Sequence, residues 1–249
     1  MPDLEFGLVD EASFDDIPAP AQPGAHCQTC DYWERVDGGR EAPAQGGHAA
    51  ARAALKRNRL LAGRVVSGSY GMLGYRTDTV SRVPIGYAQF GPLSAYPRAQ
   101  SIRDRYPQLP ESPAPWVITC LQISADGADR ASFGVALLEA VCGELDRRGI
   151  TAVEAYPEGV PDPWVPSPGP ASTYEDAAFE RVAGDERFPV YRRELTGETD
   201  TDAWSGMLRA STPADDGDDW PLPLPAGPSE DDLFRMPQKP KRPNPFGDD

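Results

Sequence analysis

The sequence predicts an α/β fold, and three observations over residues 115–156 carry that expectation. Trp116–Ile123 (WVITCLQI) is a short apolar run rich in β-branched residues, bounded by Pro113, Pro115 and the polar turn Ser124-Ala125-Asp126-Gly127. Such a run reads as a strand covered on both faces. Phe133, Leu137, Leu138, Val141, Cys142 and Leu145 then recur at helical steps and make one apolar stripe. Arg147 and Arg148 fall in the last turn of that helix, Gly149 lies just past it, and Ile150–Tyr156 supplies the next strand. At the turn between strand and helix, backbone N–H groups lack an intrahelical partner, which makes a natural seat for a phosphate.

The other elements follow in chain order. Residues 1–25 are acidic and end in the proline-rich IPAPAQPGA, so this end is expected to be disordered, with at most an edge strand at Leu4–Val9. Cys27–Arg35 suits a short strand or a turn, and Gly38–Gly47 a loop. Ala49–Leu61 is rich in strong helix formers. Val65–Tyr75 and Val83–Phe90 read as two strands joined by a turn around Thr77–Ser81. Pro97–Tyr106 contains a short basic helix and Leu109–Pro115 a connector. After the central unit come a proline-rich loop (Gly159–Pro170), a short helix (Thr173–Val182, with Phe179 and Val182 on one side) and a last strand (Phe188–Leu195). Asp200–Ala210 could form one helical turn. Beyond it the acidic, proline-rich chain cannot bury enough apolar area to offset its ordering entropy. The expected organisation is an acidic segment (1–25), one domain (26–197) and a disordered acidic tail (198–249).

Composition narrows the function. The chain has 249 residues, 28 Pro, 24 Gly and a net charge of −15. Residues 1–25 hold six acids and no base, and residues 198–249 hold twelve acids and five bases, so the middle carries only about −2. A near-neutral core without a basic stripe argues against nucleic-acid binding. No run approaches the roughly 18 apolar residues of a membrane span, and the acidic N-terminus does not read as a signal peptide. Four cysteines do not make a disulfide scaffold, so a reducing cytoplasm is the expected location.

The central unit resembles the acyl-CoA-binding core of the GNAT N-acetyltransferase superfamily. STYEDAAF (172–179) followed by FPVYRREL (188–195) resembles the closing helix and last strand of that fold. CQTCDYWE (27–34) and GYAQFGP (86–92) resemble an uncharacterised bacterial branch of it. The resemblance spans about 27 to 195 and implies a mixed central sheet with helices on both faces. It also implies acetyl-CoA as cosubstrate, no metal, and a small-molecule or peptide amine as acceptor. The superfamily's phosphate loop, Arg/Gln-x-x-Gly-x-Gly/Ala, falls on Asp129, Arg130, Ala131, Ser132, Phe133 and Gly134. An acid stands first, Ser132 replaces the first glycine, and only Gly134 fits. Arg130 could still serve one position late, with backbone donors at Ala131, Ser132 and Phe133. The resemblance further implies that the strand end Leu121, Gln122 and Ile123 splays from its neighbour and pairs its backbone with pantetheine. It implies that Tyr174 hands a proton to the departing thiolate. Ala178 stands where a glycine is usual.

The remaining motifs have plainer readings. Glu34, Glu154 and Tyr87 sit on expected strands, but each reads as a paired or solvated group and no general base is assigned. Tyr32, Trp33, Tyr87 and Phe90 are expected to line an acceptor pocket. Cys27-x-x-Cys30 lacks further ligands at zinc spacing and does not sit at a helix start, so it reads as structural. Cys120 reads as a small buried apolar residue. LFRMPQKPKRPNPF (233–246) has the make-up of a short partner-binding motif or of an inert tail. Two functions are expected: acyl transfer from acetyl-CoA to an amine or, because the loop is altered, a scaffold of the same fold acting through its tail.

Overall fold

The computed structural model describes residues 3–18, 26–36, 47–63, 68–124, 129–157, 168–186 and 189–197. Their centre is a seven-stranded sheet in the order β1-β2-β3-β4-β5-β7-β6. The strands are β1 (Asp3–Leu8), β2 (Gly71–Thr77), β3 (Arg82–Pro92), β4 (Trp116–Ile123), β5 (Ala152–Ala155), β6 (Glu180–Gly184) and β7 (Pro189–Glu194). Only β4 and β5 run parallel. The helices are α1 (Gly47–Leu60), α2 (Pro97–Arg103), α3 (Asp129–Arg147) and α4 (Ala171–Asp176). This is the mixed α/β sheet expected from the sequence.

Burial explains the layering. Every residue of β4 is buried, because α3 covers one face of the sheet and α1, α2 and the chain before them cover the other. The α3 side holds Phe133, Leu137, Leu138, Val141 and Leu145 against Ile118, Leu121 and Ile123. On the opposite side, Val9, Phe14, Ile17 and Leu60 pack on Leu73, Tyr75, Tyr87 and Cys120.

The N-terminal expectation needs correction. Residues 3–18 do not form a disordered end: β1 pairs with β2 along its whole length, and Val9, Phe14 and Ile17 are buried. Acidity misleads here because the acids are on the rim. Glu5 is bridged to Arg82 at 2.9 Å, while Asp16 accepts the Tyr75 hydroxyl at 2.9 Å. The acidic tail and the motif at 233–246 lie outside the described residues, as does the turn expected at Asp200–Ala210.

The closing helix is also shorter than expected. It ends at Asp176, and Glu180–Gly184 forms β6, so Val182 is a half-exposed strand residue and β7 is an inner strand rather than the edge. Between helix and strand Ala178 takes φ 57°, the left-handed conformation that costs a Cβ-bearing residue about 1–2 kcal/mol. The glycine usual in the resembling family needs no such strain. Ala178→Gly is therefore expected to stabilise the protein by up to about 1 kcal/mol, read as a raised urea midpoint at unchanged slope.

Candidate active site

The site forms where β4 leaves β5. The β4–β5 ladder has three pairs, Trp116↔Val153, Val117↔Glu154 and Ile118↔Ala155. Beyond them, β4 runs on to Ile123 paired only with β3 among the described residues. The register explains the divergence: Phe90 faces Ile118 and Gln89 faces Cys120, so Thr119 is an extra residue in β4. Such a bulge bends its strand and increases the local twist. Leu121 and Ile123 then point towards α3, and Gln122 lies on the opposite face with Tyr87, its register partner.

The start of α3 meets this strand end at Gly134. A Cβ there would lie 2.8 Å from Ile123 Cδ1 and 3.0 Å from Thr173 Cγ2, so only glycine lets β4, α3 and α4 approach so closely. Arg130, Ala131 and Ser132 are exposed in the first turn of α3, where amide N–H groups have no intrahelical acceptor. Phe133 differs from its neighbours. Its ring is buried and lies across the cross-strand pair Gly74↔Gly86, beside Phe6 at 5.8 Å. Its side chain belongs to the core, and only its backbone is left to serve a ligand.

Tyr174 stands on α4 beside this junction, fully buried. Its hydroxyl donates to the Pro168 carbonyl, its ring meets Phe179 edge-on at 5.2 Å, and burial pushes its pKa well above the usual phenol range. The next residue, Gly169, has φ 95° and lies against Leu121, 3.0 Å from Cδ2 to a built Cβ. The segment held by Tyr174 thus covers the side chain of Leu121. The structure brings Leu121, Ile123, Gly134 and α4 together.

The expected aromatic pocket does not assemble. Phe90 faces α3 with Trp116, whereas Tyr87 lies on the opposite side, and Tyr32 and Trp33 pack edge-on at 5.4 Å in the layer under α2. Glu154 is fully buried and occupied: Arg103 Nε at 3.1 Å, Arg192 Nη1 at 2.8 Å and the Tyr156 hydroxyl at 2.6 Å all donate to it. A carboxylate so engaged is a structural counterion. Cys120 matches its plain reading: a hydrogen bond to Cys27, together with burial, pushes its thiol well above the usual range.

One constellation was not assembled from the sequence. On the face opposite α3, Lys56 of α1 donates from Nζ to Glu34 Oε1 and to Gln89 Oε1, both at 2.7 Å. Gln89 Nε2 also reaches Glu34 Oε1, at 2.9 Å. Glu34 and Lys56 side chains are 5% and 3% exposed, so this ion pair is internal. Burial pushes the Glu34 carboxyl up, but the ammonium and amide outweigh it and the net shift is down; Lys56 is raised against its own burial by the same partner. The lysine sits 22 residues from its carboxylate in a helix that otherwise reads as a surface helix, so no local pattern announces the pair.

Comparison with known proteins adds resemblance of fold alone. No family model matches the sequence, and no curated protein matches it, so the CQTCDYWE segment has no matched relative. Three solved structures illustrate the similarity. The C-terminal condensation domain of Ebony in complex with beta-alanyl-dopamine is 10% identical, with a TM-score of 0.47 over 78% of this chain and 100% of that one. An agmatine N-acetyltransferase variant is 12% identical, with a TM-score of 0.45 over 78% and 100%. A putative acetyltransferase from Salmonella typhimurium, solved with its cofactor acetyl-CoA, is 12% identical, with a TM-score of 0.44 over 78% and 95%. Among the described residues, no helix is long and apolar enough to cross a membrane, and no group of His, Cys, Asp and Glu is placed to hold a metal.

Proposed function

We propose that this chain is a GNAT-type N-acyltransferase that moves an acetyl group from acetyl-CoA to an amine by direct attack. The observation that carries the proposal is the opening at Thr119, which leaves the end of β4 without a β5 partner beside the start of α3. An extended amide chain such as pantetheine pairs with an open strand end, and a pyrophosphate suits helix N–H donors.

In this assignment the backbone of Leu121, Gln122 and Ile123 aligns pantetheine, and the first turn of α3 from Arg130 to Gly134 receives the pyrophosphate. Arg130 adds a positive charge at its edge. Tyr174 keeps its proton at every working pH, since burial raises it, and gives the leaving thiolate a hydrogen bond once its hydroxyl turns from Pro168. Rate enhancement comes chiefly from holding amine and thioester in line.

Calorimetric titration with acetyl-CoA at moderate salt tests the assignment. Wild type is expected to bind in the micromolar range, and Asp129→Arg about tenfold more tightly, because the change replaces a charge that repels phosphate with one that attracts it. Binding by Asp129→Arg alone would mean a preserved fold with a disabled phosphate seat. The chain would then be a scaffold, with residues 233–246 the segment to test for a partner. Binding by neither protein removes the acyltransferase assignment.

A further inference from the structure

Within and beside the Glu34–Lys56–Gln89 network, two buried side-chain atoms have no hydrogen-bond partner among the described residues. They are Glu34 Oε2 and the Tyr87 hydroxyl, both buried and neither hydrogen-bonded to any described residue. Tyr87 is 0% exposed and pairs in register with Gln122, while Gln89 pairs with Cys120, so both lie on β3 opposite the part of β4 that β5 does not pair. A buried polar group left unbonded costs about 1–3 kcal/mol, and two of them flanking one charged network point to an occupant that bonds them.

The charges specify what that occupant is. Lys56 neutralises Glu34, and the titratable groups around the pair, Cys30, Cys120 and Tyr96, are all held protonated. Burial drives the shift for Cys30 and Tyr96, and the bond to Cys27 together with burial drives it for Cys120. The wall of the site therefore has no net charge. An ammonium placed there would be desolvated without a counterion of its own, whereas a neutral amine can donate one N–H to Glu34 Oε2 and a second to Tyr87. Its lone pair stays free for the thioester carbonyl.

We infer that Glu34 and Tyr87 bind the acceptor, and that the acceptor is a small, weakly basic amine taken up in its neutral form, an aryl amine being the simplest case. The inference rests on the acyltransferase assignment for its chemistry, but not for its binding test. It also removes the need for a general base before attack. The amine lone pair forms the C–N bond and pushes the carbonyl π pair onto oxygen. Collapse of that intermediate re-forms C=O and breaks the C–S bond, and the nitrogen gives its proton to the departing thiolate or to solvent.

The test compares wild type with Tyr87→Phe at pH 7, using aniline, which is neutral there, and benzylamine, which is protonated. Ligand-observed NMR measures amine binding without acetyl-CoA, and calorimetry measures acetyl-CoA separately. Aniline is expected to bind wild type at least about tenfold more tightly than benzylamine, and to lose about tenfold in Tyr87→Phe. Acetyl-CoA affinity should be unchanged and stability equal or higher, since the variant removes an unbonded hydroxyl. Equal binding of aniline to both proteins overturns the inference, as does benzylamine binding as well as aniline. A loss of stability without any change in amine binding also overturns it and marks a buried structural water. Failure of acetyl-CoA to bind, with aniline binding still dependent on Tyr87, would remove the transfer reaction and leave the amine site standing.

Discussion

Lys56→Met is expected to cost about 3–5 kcal/mol of stability at pH 7, the usual effect of removing one partner from a buried ion pair. The reason lies with the partner left behind. Glu34 would keep its buried position but lose the ammonium that holds its carboxyl below 4.5. Its pKa would then rise with burial, and the sign of the pH dependence would reverse. In wild type the folded Glu34 pKa is depressed, so its contribution is present above about 4.5 and lost as pH falls through the lower folded value. Lys56 is raised, so its contribution is present below about 10.5 and lost as pH rises through the higher folded value. In Lys56→Met the folded Glu34 pKa lies above the unfolded one, so stability should increase as pH falls towards 4.5. Urea unfolding at pH 5 and pH 8 reads the difference: wild type changes little through this pair, and the variant is more stable at pH 5. A variant equally unstable at both pH values would mean that Glu34 swings out to solvent when its partner is lost.

The second large effect concerns the ring that fixes the start of α3. Phe133→Ala should cost about 3–5 kcal/mol, because its buried ring fills the slot over Gly74 and Gly86 and its removal leaves a cavity there. Gly86→Ala attacks the same contact from the other side. Its Cβ would stand 2.3 Å from Phe133 Cε1, and overpacking of this kind costs about 1–3 kcal/mol. The two changes should not add. With the ring removed, the new methyl has room, so Gly86→Ala in the Phe133→Ala background should be neutral or mildly stabilising. A double-mutant cycle measures this coupling. Additive costs would show that the Gly86 position acts through its strand rather than through the ring. Because Phe133 lies in the proposed phosphate-binding turn, Phe133→Ala should also weaken acetyl-CoA binding, through displacement of the turn.

Much of this protein was legible before its structure. The strand at Trp116–Ile123 and the helix after it carry their periodicity locally, so β4 and α3 appear where expected. The glycine at 134 and the strand end at 121–123 were marked by family resemblance, and the sheet brings Ile123 and Gly134 into contact. The acidic N-terminus misled, because composition averages over residues that the sheet separates: Val9, Phe14 and Ile17 go inside while Glu5 and Asp16 bond at the rim. The strand at 180–184 was missed because its residues are mostly exposed on an edge and show no two-residue alternation.

By itself, then, the sequence determined the α/β class, the central strand–helix–strand and the altered helix start, since each rests on neighbours within a few residues. Only the tertiary structure decided what depends on register and on distant pairs. The extra residue at Thr119 is visible only against β3, and Lys56 meets Glu34 and Gln89 only because α1 lies across the sheet. Pairings of this kind come from packing long-separated segments, and no local propensity encodes them.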